Sequence, residues 1–161
     1  MAEMRRPSRG ALSWRAVLFS AMVAGTVATL VQLLFWWVFW DVLPGILYRD
    51  ARLTAAIVLG RGVLPPPATF DAKVFVVATF IHFALSFVYC VVLAILVGRR
   101  SRGRASAIGA GFGALLFVVN MYGFTLVFPW FAVARDWITL SSHMVFGMTA
   151  AVCYQRLSRS L

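Results

Sequence analysis

Four uninterrupted apolar runs constrain this chain more than anything else in it. They are Ala16–Trp40, Val74–Gly98, Ala105–Ala134 and Trp137–Gln155, and none contains an Asp, Glu, Lys or Arg. A helix that crosses the hydrocarbon core of a bilayer needs about 20 predominantly apolar residues, and each run is about that long or longer. A soluble helix of such length carries a polar stripe on its outer face, and these carry none. In a chain of 161 residues, four such runs leave no room for a separate soluble domain. The expected fold is all-α: a four-helix transmembrane bundle forming one integral membrane domain over residues 1–161, with spans at about 16–40, 74–98, 105–128 and 137–155.

The net charge of +10 does not point to nucleic acid, because the basic residues flank the apolar runs instead of building one face of a soluble fold. Arg5, Arg6, Arg9 and Arg15 precede the first run. Arg99, Arg100, Arg102 and Arg104 separate the second from the third, and Arg156 and Arg159 follow the fourth. These segments share one side if every run spans. The opposite side mixes Arg49, Arg52, Arg61, Lys73 and Arg135 with Asp41, Asp50, Asp71 and Asp136. An excess of Lys and Arg in short loops marks the cytoplasmic side, so both termini are expected in the cytoplasm. The first run exceeds a signal-peptide core of about 7–15 residues. It ends in the aromatic stretch Phe35–Trp40 instead of a small-residue cleavage site, so it reads as an uncleaved helix. Trp36, Trp37, Trp40, Trp130 and Trp137 fall at the outer interface, where amphipathic rings accumulate. Cys90 and Cys153 lie in the inner halves of their helices and read as small packing residues without a disulfide.

The segment 41–73 is the one substantial stretch outside the spans. Ile46–Gly60 reads as a short helix, too short and too charged to cross, and therefore interfacial or re-entrant. Pro65-Pro66-Pro67 predicts an extended stretch, and Thr69 or Asp71 is placed to cap the second membrane helix. Pro129 is expected to end the third helix at Phe128.

Each run carries one strongly polar residue at matched depth. With a rise of about 1.5 Å per residue, Gln32, His82 and Asn120 lie roughly 12 Å, and His143 roughly 9 Å, below the outer helix ends. Small residues share their faces: Gly25 with Gln32, Ser86 with His82, Gly109 and Gly113 with Asn120, Gly147 with His143. Such stripes mark helix–helix contacts in membranes, so the four polar groups are expected to point into one bundle, with the two imidazoles facing each other. The first and third runs each carry an amide and the second and fourth each a histidine, which suggests a faint parallel repeat.

Three chemistries suit this layer: interhelical hydrogen bonds that hold the bundle, a polar cavity for a proton or small solute, or a non-covalent haem b held between His82 and His143. No metal site is expected, and no catalytic motif stands in the sequence. Gly109-Ala110-Gly111-Phe112-Gly113 follows no strand, so it is a packing element and not a nucleotide loop.

Two further segments carry a resemblance. Leu59-Gly60-Arg61-Gly62-Val63-Leu64-Pro65-Pro66-Pro67-Ala68-Thr69-Phe70-Asp71 and Asn120-Met121-Tyr122-Gly123-Phe124, the latter followed by Phe128-Pro129-Trp130-Phe131, resemble a family of small four-helix bacterial inner-membrane proteins of unknown function. Some relatives carry a sodium/proline symporter label. That transporter fold is larger and built on discontinuous helices, and no such pair appears here. The resemblance implies a bacterial source and the four-helix plan. The expected function is a non-enzymatic, self-associating or accessory membrane subunit without a cofactor, whose partners are the lipid bilayer and a homo-oligomer or larger membrane complex. The alternatives are a small oligomeric transporter or channel and a haem-binding redox subunit.

Overall fold

The structure is a computed structural model that describes residues 12–98 and 100–160. The expectations placed on Arg5, Arg6, Arg9 and Arg99 lie outside the described residues. The described chain is helical, with no strand. Helix α1 spans Trp14–Phe35 and continues as a π-turn over Trp36–Trp40; α2 spans Gly45–Leu59, α3 Ala72–Val97 and α4 Arg102–Val118. Helix α4 runs on through a π-turn, Val119–Gly123, and a 3-10 turn, Phe124–Leu126. A second 3-10 segment, Pro129–Ala134, leads to α5, Trp137–Ser160.

Side chains set the helix starts. Ser13 accepts from the Ala16 amide, and Asp71, one of the two expected caps, accepts from the Val74 amide at 3.1 Å. Asp136 accepts from the Thr139 amide at 2.8 Å and so opens α5. Each cap satisfies an amide that the first helical turn leaves without a partner. Helix α3 stops at Gly98, whose φ of +50° glycine reaches without a Cβ clash.

Three helical stretches are long and apolar enough to cross a membrane: Trp14–Trp40, Ala72–Val97 and Arg102–Leu126. The expected fourth span is a helix, and it runs to Ser160 instead of stopping at Gln155, but its composition does not mark it as membrane-crossing by itself. Thr139, Ser141, Ser142 and His143 near one end and Arg156 and Arg159 near the other dilute its apolar content. The third stretch ends two residues before Phe128, in the tighter turn that precedes Pro129.

The long helices pack in the order α3, α1, α5, α4, with α3 also touching α4 and α5. Helix α5 therefore has protein on two sides, and Ile138, Thr139, Ser142, Phe146, Ala150, Ala151 and Gln155 are all buried. The main core joins small and aliphatic groups on α1, α3, α4 and α5, including Val17, Ala21, Leu93 and Leu116, to the rings of Phe112, Phe146 and Tyr154. At the 100–104 end, Gln155 and Arg159 both donate to the Arg100 carbonyl and tie α5 to the α3–α4 connection.

Helix α2 caps the other end. Ala55 packs on Val74 and Ala78 of α3. The Trp130 indole N–H donates to the Leu53 carbonyl at 3.0 Å, which fastens the 129–134 segment to α2. Arg52 donates to the carbonyls of Thr69 and Val63, both at 3.1 Å, and holds the returning chain against α2. The 65–67 stretch, expected to be extended, is a bend inside this strapped loop.

Candidate functional site

Two glycine contacts set the spacing of the helices around the site. A Cβ on Gly109 would overlap the backbone carbonyl of Gly147, and one on Gly113 would overlap that of His143. A Cβ on Gly147 would in turn overlap the Gly109 carbonyl. Helices α4 and α5 thus touch backbone to backbone. Gly25 plays the matching part between α1 and α3, where a Cβ would come within 3.0 Å of His82 Nε2 and 3.1 Å of Ser86 Oγ. Gly25 and Gly113 each stand seven residues before an amide, Gln32 and Asn120. In both pairs the facing helix presents a histidine and, one turn on, a small residue: His82 with Ser86, His143 with Gly147.

Toward the α2 end the helices leave a cavity of about 550 Å³. Gln32, His82, Asn120 and His143 all line it, and each is half-buried. Its remaining wall is mostly apolar, with aromatic rings from Phe75, Phe128 and Phe131. Helix α2 adds Asp50 and Thr54. The Asp50 carboxylate is bound by Arg49 at 2.7 Å. Desolvation holds the Asp50 carboxyl above the ordinary aspartate range, against the pull of the Arg49 guanidinium.

The hydrogen bonds fix the protons of one imidazole. His143 Nδ1 lies 2.8 Å from the Thr139 carbonyl, which can only accept, so Nδ1 carries a hydrogen. Its Nε2 lies 3.2 Å from Asn120 Nδ2. An amide nitrogen only donates, so Nε2 accepts and the ring is the neutral Nδ1–H tautomer. Asn120 Oδ1 then accepts from the Tyr89 hydroxyl at 2.7 Å. The chain continues outward, because Thr139 donates its hydroxyl to Asp136 Oδ2 at 3.2 Å. A connected polar path therefore runs from Asp136, at the mouth of α5, to Tyr89 on α3, through α4.

The other two residues pair differently. Ser142 donates its hydroxyl to the Thr139 carbonyl at 3.0 Å, and its oxygen lies 3.2 Å from the Gln32 side-chain amide, joining α1 to α5. His82 Nε2 stands 3.5 Å from Thr29 Oγ1, which itself donates to the Gly25 carbonyl at 3.0 Å. The histidines therefore share a cavity without bonding each other: the Asn120 amide meets the His143 imidazole, whereas Gln32 meets Ser142 and His82 meets Thr29. Both nitrogens of His143 are engaged, so an axial iron ligand at that position would have to displace Asn120 or Thr139. Among the described residues no three His, Cys, Asp or Glu side chains gather as metal ligands.

Sequence reasoning missed four lining groups: Tyr89, Ser142, Trp36 and Asp50. Tyr89 stands seven residues after His82, two turns along the same face, a signal that was available. Asp50 gave none, because only the folding-back of α2 brings it to the cavity. No family model matches the chain, and neither does any curated protein or solved structure.

Proposed function

We propose that the chain is an integral protein of a bacterial inner membrane that crosses four times, with both termini cytoplasmic and α2 at the outer interface, and that its cavity binds a small organic molecule. Three helices meet the length and composition needed to cross. Helix α5 completes the bundle because α1 and α4 cover two of its sides, so its polar residues face protein and not lipid. Residues with this exposure pattern need less apolar content than a helix surrounded by lipid. The arginine asymmetry and the aromatic belt support the orientation. The resemblance to small four-helix inner-membrane proteins fits the same plan.

The observation that carries the binding reading is the cavity itself. It falls within the roughly 300–1,000 Å³ range of small-molecule sites, and it joins apolar walls to a few convergent neutral polar groups. Self-association or an accessory role is the second reading. The Gly109–Gly113 stripe does not favour it, since that stripe is consumed between α4 and α5 of one chain. The test is native mass spectrometry of protein purified in mild detergent, with Ala78→Trp as the comparison. Ala78 lines the cavity one turn from His82, so the indole fills it. Wild type should retain a small bound mass that a folded Ala78→Trp protein lacks. A wild type that never carries or accepts a small molecule would refute the binding reading and leave the accessory role.

A further inference from the structure

We infer that the cavity takes one alkyl chain of a membrane phospholipid, which enters from the bilayer side while the charged head group stays outside. This rests on the proposal that the cavity binds a small organic molecule, and it names the class of that molecule. The route follows from where the cavity is open. Among the lining residues, the exposed ones are Thr26 and Leu30 on α1, Thr79 on α3 and Phe124 in the turn after α4. All of them lie in the three stretches that are long and apolar enough to cross a membrane. Helix α2 and the 128–134 segment also line the cavity, yet none of their lining residues is exposed. Counted from Trp40 and Val74, Leu30 lies roughly 15 Å and Thr79 roughly 8 Å inside a hydrocarbon core about 30 Å thick. That is the depth of outer-leaflet chains in the proposed orientation. The cavity is therefore roofed against water and open to lipid, on the α1–α3 side and on the α4 side.

The chemistry of the occupant follows from what the walls have already bonded. Asn120 spends its amide nitrogen on His143 and its oxygen on Tyr89. His143 gives its Nδ1 hydrogen to the Thr139 carbonyl, and Ser142 gives its hydroxyl hydrogen to the same carbonyl. Thr29 donates to the Gly25 carbonyl and Thr79 to the Phe75 carbonyl. These polar groups bond one another and the backbone, so a polar solute entering here gives up its water for few partners. One His82 nitrogen and one end of the Gln32 amide stay unspent, but on different helices and beside different partners, Thr29 and Ser142. An alkyl chain asks for no hydrogen bond. A dry cavity of about 550 Å³ left empty would forfeit dispersion contacts along its wall, and the bilayer presents alkyl chains at its openings. The lining holds no Lys or Arg to meet a phosphate or a carboxylate. Burying an unpaired charge there is strongly unfavourable, so the head group remains at the interface.

The test is photo-crosslinking in nanodiscs that carry a trace of phosphatidylcholine with a diazirine midway along one chain, or of the same lipid with the diazirine on its head group. Labelled sites are read by peptide mass spectrometry. Leu116 and Met121 line the cavity and are buried, whereas Phe80 lies outside it and is 74% exposed. The chain probe should label Leu116 or Met121 as well as Phe80, and the head-group probe should label neither interior residue. Interior labelling should be lost in Ala78→Trp, whose indole fills the cavity, while labelling at Phe80 persists. Ile57→Trp, which fills the cavity from α2, takes its place if Ala78→Trp does not fold. Labelling confined to exposed residues, or interior labelling that survives in a folded, filled variant, overturns the alkyl-chain occupant. Equal interior labelling by the head-group probe overturns the exclusion of the head. Native mass spectra then separate the two readings: a bound mass that is not a lipid keeps the binding reading, and no bound mass removes it as well.

Discussion

The α4–α5 contact allows a sharp calculation, because it is backbone against backbone. In Gly113→Ala the new methyl would occupy the space of the His143 carbonyl and crowd Met144 Cα. A flexible side chain could swing away from such a clash; a helix backbone cannot. Helices α4 and α5 must separate, and the Gly109–Gly147 contact one turn along must open with them. Overpacking of a close-packed interior costs about 1–3 kcal/mol, and occasionally more; a rigid neighbour places this substitution at the upper end. In a chain of this size that is a fall in unfolding temperature of about 2–4 °C for each kcal/mol. Gly111 lies on the same helix, and a Cβ there meets nothing within 4 Å. Gly111→Ala should therefore be neutral or stabilising by roughly 0.5–1 kcal/mol through helix propensity. Gly25→Ala should fall between them, since it meets the movable tips of His82, Ser86 and Phe83. The assay is thermal unfolding in one mild detergent, followed by size-exclusion recovery. If Gly113→Ala unfolds with wild type, or if Gly111→Ala is equally damaging, the backbone contact is not what holds α4 to α5.

Other substitutions probe the polar path and the topology. Tyr89→Phe removes the donor to Asn120 Oδ1 and should cost about 0.6–2 kcal/mol, read as a lower unfolding temperature; an unchanged temperature means that the bond contributes nothing. The raised Asp50 carboxyl means the folded chain holds that proton more tightly than the unfolded one. Its contribution to stability is fullest at or below the ordinary aspartate value and is lost as pH rises through the raised one. As pH rises above the ordinary aspartate value the wild type should therefore lose stability relative to Asp50→Asn, and parallel curves would contradict this. A cysteine placed at Gly62 should react with an impermeant thiol reagent from outside, and one at Arg102 should not; the reverse pattern inverts the orientation. His82→Ala and His143→Ala should lower stability without altering any visible absorption band, and loss of a Soret band would restore the haem reading.

Hydropathy made the helices legible, because a bilayer demands uninterrupted apolar length. Helix α5 shows the limit of that signal. Its polar residues fall on faces covered by α1 and α4, and composition cannot distinguish a helix shielded by protein from one too polar to cross. Depth was legible as well. Counting residues from the outer helix ends places Gln32, His82, Asn120 and His143 in one layer, and all four line one cavity. Their bonding was not legible. Periodicity gives the face on which a residue sits but not its axial offset from a neighbour on another helix, and that offset decides that Asn120 meets His143 while His82 meets Thr29. The glycines followed a similar course. The stripe on α4 announced a close contact, but only the packed chain shows that its partner is α5 and not a second copy. The least legible part was the roof. Asp50 and Phe131 reach the site through the folding-back of α2 and the 3-10 segment after Pro129, which no local pattern encodes.

The most direct test of the polar layer is solid-state NMR of the 15N-histidine-labelled protein in lipid, with His82→Phe used to isolate His143. The structure requires His143 to be neutral, with its hydrogen on Nδ1 and with Nε2 accepting from the Asn120 amide. The expected result is an unprotonated Nε2 resonance that shows a through-space contact to the Asn120 side-chain nitrogen and shifts in Asn120→Leu. An Nε2–H or doubly protonated ring, or an Nε2 that is indifferent to Asn120, would contradict the network on which the cavity is built.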